Sequence, residues 1–119
     1  MQGFNDTASL KKFLYQKVMR TLAVFCGKEF YSVYQQLSPR LSKAGIDSVA
    51  VEQRDVIATF ESRIADQFVA IPLMCKITKE VIHSAQGRLK LIHQWGVGLE
   101  GVDIPEATKF RIPVANTPF

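Results

Sequence analysis

The sequence predicts an α/β fold: an open, flavodoxin-like parallel sheet of about five strands in the order 2-1-3-4-5, with helices on both faces and an added N-terminal helix. Three observations predict it. Short, continuously apolar runs alternate with stretches of helical periodicity, the pattern of repeated strand–helix units. The runs lack polar alternation, which suits strands covered on both faces. Glycines mark the boundaries, at Gly27, Gly45, Gly87 and Gly96. Right-handed crossovers then set the hand of the sheet, and ligands in such sheets bind at the carboxyl ends of the strands. Gly27, the Leu73-Met74-Cys75 loop and the stretch from Gly96 to Gly101 all fall on that edge.

In chain order, residues 1–7 are polar and read as a frayed end. From Ala8 to Met19, Leu10, Phe13, Leu14 and Val18 recur at helical spacing between lysines, predicting a helix packed on the domain. A targeting peptide is the other reading of this segment; Asp6, scarce arginine and the lack of a cleavage pattern weigh against it. Residues 1–20 thus form an extension, and 21–119 the domain. Thr21 to Cys26 is the first strand. Glu29 to Ala44 is an amphipathic helix through Phe30, Val33, Tyr34, Leu37 and Leu41, stopped by Gly45. Pro39 predicts a kink or break near Gln36 to Ser38. Asp47 to Val51 is the second strand, and Val56, Ile57 and Phe60 mark one face of a short helix within Glu52 to Ala65. Phe68 to Leu73 is the third strand, with Pro72 near its end, where a lost ladder donor is tolerated. Thr78 caps a helix over Glu80 to Ala85 with Val81 and Ile82 inward, and Gly87 ends it. Leu89 to His93 is the fourth strand. Asp103 caps a short helix over Ile104 to Phe110, with Pro105 in its first turn, and Ile112 to Ala115 is the fifth strand.

Composition narrows the function. At 119 residues the chain makes one domain with one core. The net charge of +4 is mild, and basic residues are scattered apart from Lys11, Lys12, Lys17 and Arg20. No basic stripe or aromatic platform points to nucleic acid. Cys26 and Cys75 have no metal-ligand spacing and no partner framework, which fits a reducing, cytoplasmic setting. No apolar run approaches the ~18 residues of a membrane span.

The most constrained stretch is Leu89 to Pro118, where Gly96, Gly98 and Gly101 fall within six residues. Leu89-Lys90-Leu91-Ile92, Gly96-Val97-Gly98, Val102-Asp103-Ile104, Ala107-Thr108, Ile112-Pro113-Val114 and Asn116-Thr117-Pro118 stand there in register. Together they resemble the N-terminal part of the D-isomer-specific 2-hydroxyacid dehydrogenases, including the phosphoglycerate dehydrogenase-like members. Upstream of Leu89 the likeness is one of strand and helix order. The resemblance implies a substrate-binding (catalytic) domain and a separate domain for the nicotinamide cofactor. It places a small 2-hydroxy or 2-oxo acid against Gly96, Val97 and Gly98, flanked by Leu73 and Met74. The physical basis is that glycines let amide N–H groups converge on an anion. The chain departs from the family in having Glu100-Gly101 where an Asp-Asn pair is common, and Pro72-Leu73-Met74 where small or charged residues are common.

Gly96, Gly98 and Gly101 also match the G-x-G-x-x-G spacing of a dinucleotide site. The helix after them is too short and no acidic residue follows at a strand end, so a substrate-side turn is the preferred reading. The resemblance expects the cofactor domain to begin where the sequence stops, at Phe119. NAD(P) is therefore expected for the full-length form and not for this chain alone. No catalytic residue and no metal ligand is expected here: His83 and His93 read as packed or surface histidines, and Lys76 as solvated. Apolar surface left by an absent domain would favour homo-oligomers. The expected function is the N-terminal part of an NAD-dependent oxidoreductase acting on the CH–OH group of D-2-hydroxy acids, inactive alone. The alternative is a free-standing small-acid-binding or protein-interaction module without catalysis.

Overall fold

The computed structural model describes residues 20–117, together with 7 and 8. But for its first position, the expected helix over 8–19 lies outside the described residues. The five apolar runs are strands β1 (Thr21–Cys26), β2 (Ile46–Val51), β3 (Gln67–Pro72), β4 (Leu89–Gln94) and β5 (Val114–Asn116). All neighbours pair in parallel, in the expected order β2-β1-β3-β4-β5. The helices between them are α1 (Tyr31–Lys43), α2 (Val56–Ser62), α3 (Lys79–Ser84) and α4 (Ile104–Lys109). Short 3-10 turns at Lys28–Phe30 and Gln53–Asp55 lead into α1 and α2.

The burial of β1 explains its continuous apolar run. Leu22, Val24 and Cys26 share one core cluster with Val56 and Phe60 of α2, Val81 and Ile82 of α3 and Ala107 of α4. Ala23 and Phe25 belong to a second cluster, with Tyr34, Leu37 and Leu41 of α1. Both faces of β1 are therefore covered, α1 on one side and the other three helices on the opposite one. Each large side chain buried this way contributes roughly 1.5–3 kcal/mol relative to exposure. The expected caps are present: the Thr78 hydroxyl accepts from Val81 N–H at 3.3 Å, and Asp103 Oδ1 accepts from Glu106 N–H at 3.1 Å.

Two details differ from the sequence reading. Pro39 lies inside α1 without breaking it at Gln36 to Ser38. Pro39 and Gln35 are both exposed, so water meets the Gln35 carbonyl that the proline leaves without a donor. The fifth strand begins at Val114 and not at Ile112. The preceding residues close α4: Arg111 N–H donates to Thr108 O at 3.0 Å and Ile112 N–H to Ala107 O at 2.9 Å. This is a Schellman closure, in which Arg111 takes the left-handed position, φ +56, usually given to glycine.

Candidate functional site

The loops after β1, β3 and β4 meet at the carboxyl edge of the sheet. A Cβ on Gly27 would lie 3.5 Å from Cys75 Sγ, and one on Gly101 would lie 3.2 Å from the Cys75 carbonyl. The edge is therefore closely packed backbone, and the turn after β4 is tied into it from both sides. Trp95 N–H donates to Pro72 O at 3.1 Å, and the buried Gln94 donates from Nε2 to Leu73 O at 2.8 Å. From the far side, Thr117 N–H donates to Gly96 O at 3.1 Å and Asn116 Nδ2 to Val97 O at 3.0 Å.

These bonds use carbonyls and leave donors. No N–H from Gly96 through Gly101 meets an acceptor among the described residues. Successive unpaired N–H groups in a turn form an anion-binding concavity. Gly96 is needed to shape it, since its φ of +145 is a conformation that side chains resist; at Gly98 the end of the Glu100 side chain lies where a Cβ would stand.

A cleft of about 420 Å³, lined by Lys76, Lys79, Glu100 and Gly101 among others, borders the far end of the turn, and two clefts border its Gly96–Gly98 end. Of these two, the first, of about 400 Å³, is lined by Leu73, Met74, Lys76, Gln94, Gly98 and Glu100 among others. The second, of about 680 Å³, is mainly apolar and is lined by Phe30, Val33, Leu73, Trp95 and Gly96, with Glu29, His93 and Thr117. Of the residues expected at the site, Leu73, Met74 and Gly98 come together in the first cleft. Gly96 joins Leu73 in the second. Val97 lines neither and is 59% exposed. Trp95 fills space beside the turn, edge-on to Phe30 at 5.3 Å and to Phe25 at 6.0 Å.

Sequence reasoning missed two glutamines. Gln94 closes a strand read as ending at His93, and only its burial reveals that its amide must hold a neighbour. Gln53 takes both main-chain groups of Lys76, and a spacing of 23 residues leaves no local signal of that.

The titratable groups narrow the chemistry. Burial pushes the Cys26 thiol up to about 12. Burial, and then the nearby Glu29 charge, also raises Cys75, so neither thiol is prepared as a nucleophile. His83 Nε2 lies 2.8 Å from Glu106 Oε1, and this hydrogen bond holds the Glu106 carboxyl below its ordinary value. The pair joins α3 to α4 and lines neither cleft. Among the described residues no group of three or more His, Cys, Asp or Glu side chains is placed to hold a metal ion. No described helix is long and apolar enough to cross a membrane.

The glycine spacing does not fit a dinucleotide pyrophosphate. The fingerprint needs a free helix N-terminus at the glycines. Here α4 starts only at Ile104, its N-terminus is taken by the Asp103 carboxylate, and Gly101 packs on a loop carbonyl.

The sequence matches the family described as D-isomer specific 2-hydroxyacid dehydrogenase, catalytic domain, over residues 30–119. Glyoxylate reductase of Thermococcus litoralis is 32% identical over 91 residues, covering 76% of this chain and 24% of that protein. A chloroplastic D-3-phosphoglycerate dehydrogenase of Arabidopsis thaliana is 44% identical over 43 residues, 36% of this chain and 7% of that protein. The chain thus spans less than a quarter of these curated relatives. Among solved structures, NAD+-bound 3-phosphoglycerate dehydrogenase of Entamoeba histolytica has a TM-score of 0.67 at 25% identity, covering 82% of this chain and 33% of that one. Apo D-lactate dehydrogenase of Escherichia coli has a TM-score of 0.59 at 16% identity, over 83% of this chain and 31% of that one, a likeness of fold.

Proposed function

Because this chain belongs to the D-isomer specific 2-hydroxyacid dehydrogenase family, we propose that residues 21–119 are the substrate-binding domain of an NAD(P)-dependent oxidoreductase acting on the CH–OH group of small D-2-hydroxy acids. Residues 1–20 form an extension to it. The observation that carries the reading is the row of N–H groups from Gly96 through Gly101 that meet no acceptor among the described residues, with the Gly96 and Val97 carbonyls tied back by Thr117 and Asn116.

In this reading the substrate carboxylate accepts from the Val97 and Gly98 N–H groups, and it reaches the backbone at the bare Gly98 once the Glu100 side chain that lies over it swings away. Lys76 adds positive charge from the side of the first cleft, and Leu73 and Met74 flank the carbon chain. Gln94 and Asn116 position the turn. The first cleft has no histidine among its described lining, and in the second His93 meets the Thr117 hydroxyl and makes no hydrogen bond with Glu29, so we assign the proton-moving residues and the NAD(P) site to parts of the protein other than the described residues. Residues 1–119 alone are then expected to bind the acid without turning it over. Buried, unpaired Cys26 and Cys75 support a reducing, cytoplasmic setting. Exposed Tyr31, Ile64 and Phe110 support self-association.

Thermal unfolding of the chain in millimolar D-lactate tests the reading. A ligand that binds only the folded state raises the melting temperature. D-lactate should raise it, propanamide should not, and NADH oxidation with glyoxylate should stay at buffer background. Equal shifts with the uncharged amide would show that no carboxylate is recognised.

A further inference from the structure

We propose that the acid taken at this site carries a branched or aromatic apolar side chain, and not a phosphate or second carboxylate. The proposal rests on the reading above that the Gly96–Gly101 turn receives the substrate carboxylate.

Three large apolar side chains stand exposed on the loops around that turn: Leu73 at 37%, Met74 at 76% and Val97 at 59%. Such residues scattered singly are ordinary, but these converge on the carboxyl edge beside the unpaired N–H groups. Leu73 also lines both clefts. An acid anchored at Val97 and Gly98 therefore extends its side chain across Leu73 into the cleft formed by Phe30, Val33 and Trp95. That cleft is of ordinary ligand size and offers apolar contact over most of its wall.

The charges point the same way. Glu29 lines the apolar cleft and Glu100 the other. Their carboxylates fold back over Gly27 and Gly98. Lys76 is the only lysine or arginine among the described residues lining either cleft, and it stands on the side where the substrate carboxylate binds. Within these two clefts a second anionic group would meet carboxylates with no cation left to pair with it; Lys28, Arg54 and Lys79 line neighbouring clefts instead.

Trp95 is the only tryptophan and lies in the cleft, so its fluorescence reports occupancy directly. The chain would be titrated with D-2-hydroxy-4-methylpentanoate, glycolate and D-3-phosphoglycerate, with 4-methylpentan-1-ol as the uncharged control. Burial of the branched side chain should make the first acid bind at least about tenfold tighter than glycolate, with 3-phosphoglycerate no tighter than glycolate. Leu73→Arg should reverse the order of the branched and phosphorylated acids. Equal affinity for all three acids, or a preference for 3-phosphoglycerate, would overturn the side-chain assignment while leaving the carboxylate site standing. If no acid binds, or if the alcohol binds as well as the branched acid, the carboxylate site falls and the assignment falls with it.

Discussion

Gln53 holds both main-chain groups of Lys76: its Oε1 accepts from Lys76 N–H at 2.6 Å and its Nε2 donates to Lys76 O at 3.0 Å. One amide thus ties the turn after β2 to the loop after β3, where Leu73, Met74 and Lys76 stand. Gln53→Ala should destabilise the chain by about 1 kcal/mol, the low value suiting bonds that are solvent-exposed. It should also weaken acid binding by loosening that loop. Gln53→Glu should be no better, because a carboxylate faces the Lys76 carbonyl with a second acceptor. Urea unfolding checks both, and a Glu variant as stable as the parent would contradict the geometry.

Gly96 and Gly98 should respond differently to alanine. Gly96→Ala forces a side chain into φ +145 and should cost roughly 1–3 kcal/mol of stability. At Gly98 the new methyl meets only the end of the Glu100 side chain, which can swing away. Gly98→Ala should therefore stay within about 1 kcal/mol of the parent. It should still lose acid binding by at least about tenfold, because the methyl stands where the anion approaches. Melting curves and titrations on the same two proteins separate the effects.

Arg111 closes α4 from a left-handed conformation that strains any residue but glycine. Its exposed side chain makes no hydrogen bond or ion pair with a described residue, so removing it breaks no described contact. Arg111→Gly should stabilise the chain by up to about 1 kcal/mol. Arg111→Val should destabilise it, since a branched side chain tolerates this conformation least. A lower melting temperature for the glycine variant would contradict the assignment.

The His83–Glu106 pair sets an acid dependence. The hydrogen bond from His83 lowers the Glu106 carboxyl below its ordinary 4.5. A carboxyl lowered on folding adds stability above its unfolded value, and that contribution is lost as pH falls through the folded value. Glu106→Gln should therefore be less stable than the parent at neutral pH. The gap should narrow as the solution is acidified below about 4.5. Denaturant midpoints across this range test it; a gap independent of pH would show that the pair does not matter.

Most of the fold was legible because each strand is short and its surroundings are simple. Thr21 to Cys26 reads as continuously apolar because helices cover both faces of β1. The end of α4 was not legible, since Arg111 stands where a glycine would have announced it. Pro39 misled for a related reason: its effect depends on which way the helix face points, and it points to water. At the site, the glycines were visible in the sequence. The unpaired N–H groups were not, because they arise from where the Gly96 and Val97 carbonyls go, some 20 residues away at Asn116 and Thr117. Gln53 and Gln94 act on backbone atoms of distant loops, and no periodicity records such contacts.

The central claim is that the turn from Gly96 to Gly101 receives a carboxylate through its free N–H groups. Amide resonances of the isotopically labelled chain, followed during titration with D-lactate, test it most directly. The account predicts saturable shifts largest at Val97 and Gly98, absent with propanamide and absent in Gly98→Ala. Shifts that spread evenly over the chain, or that survive in Gly98→Ala, would contradict it.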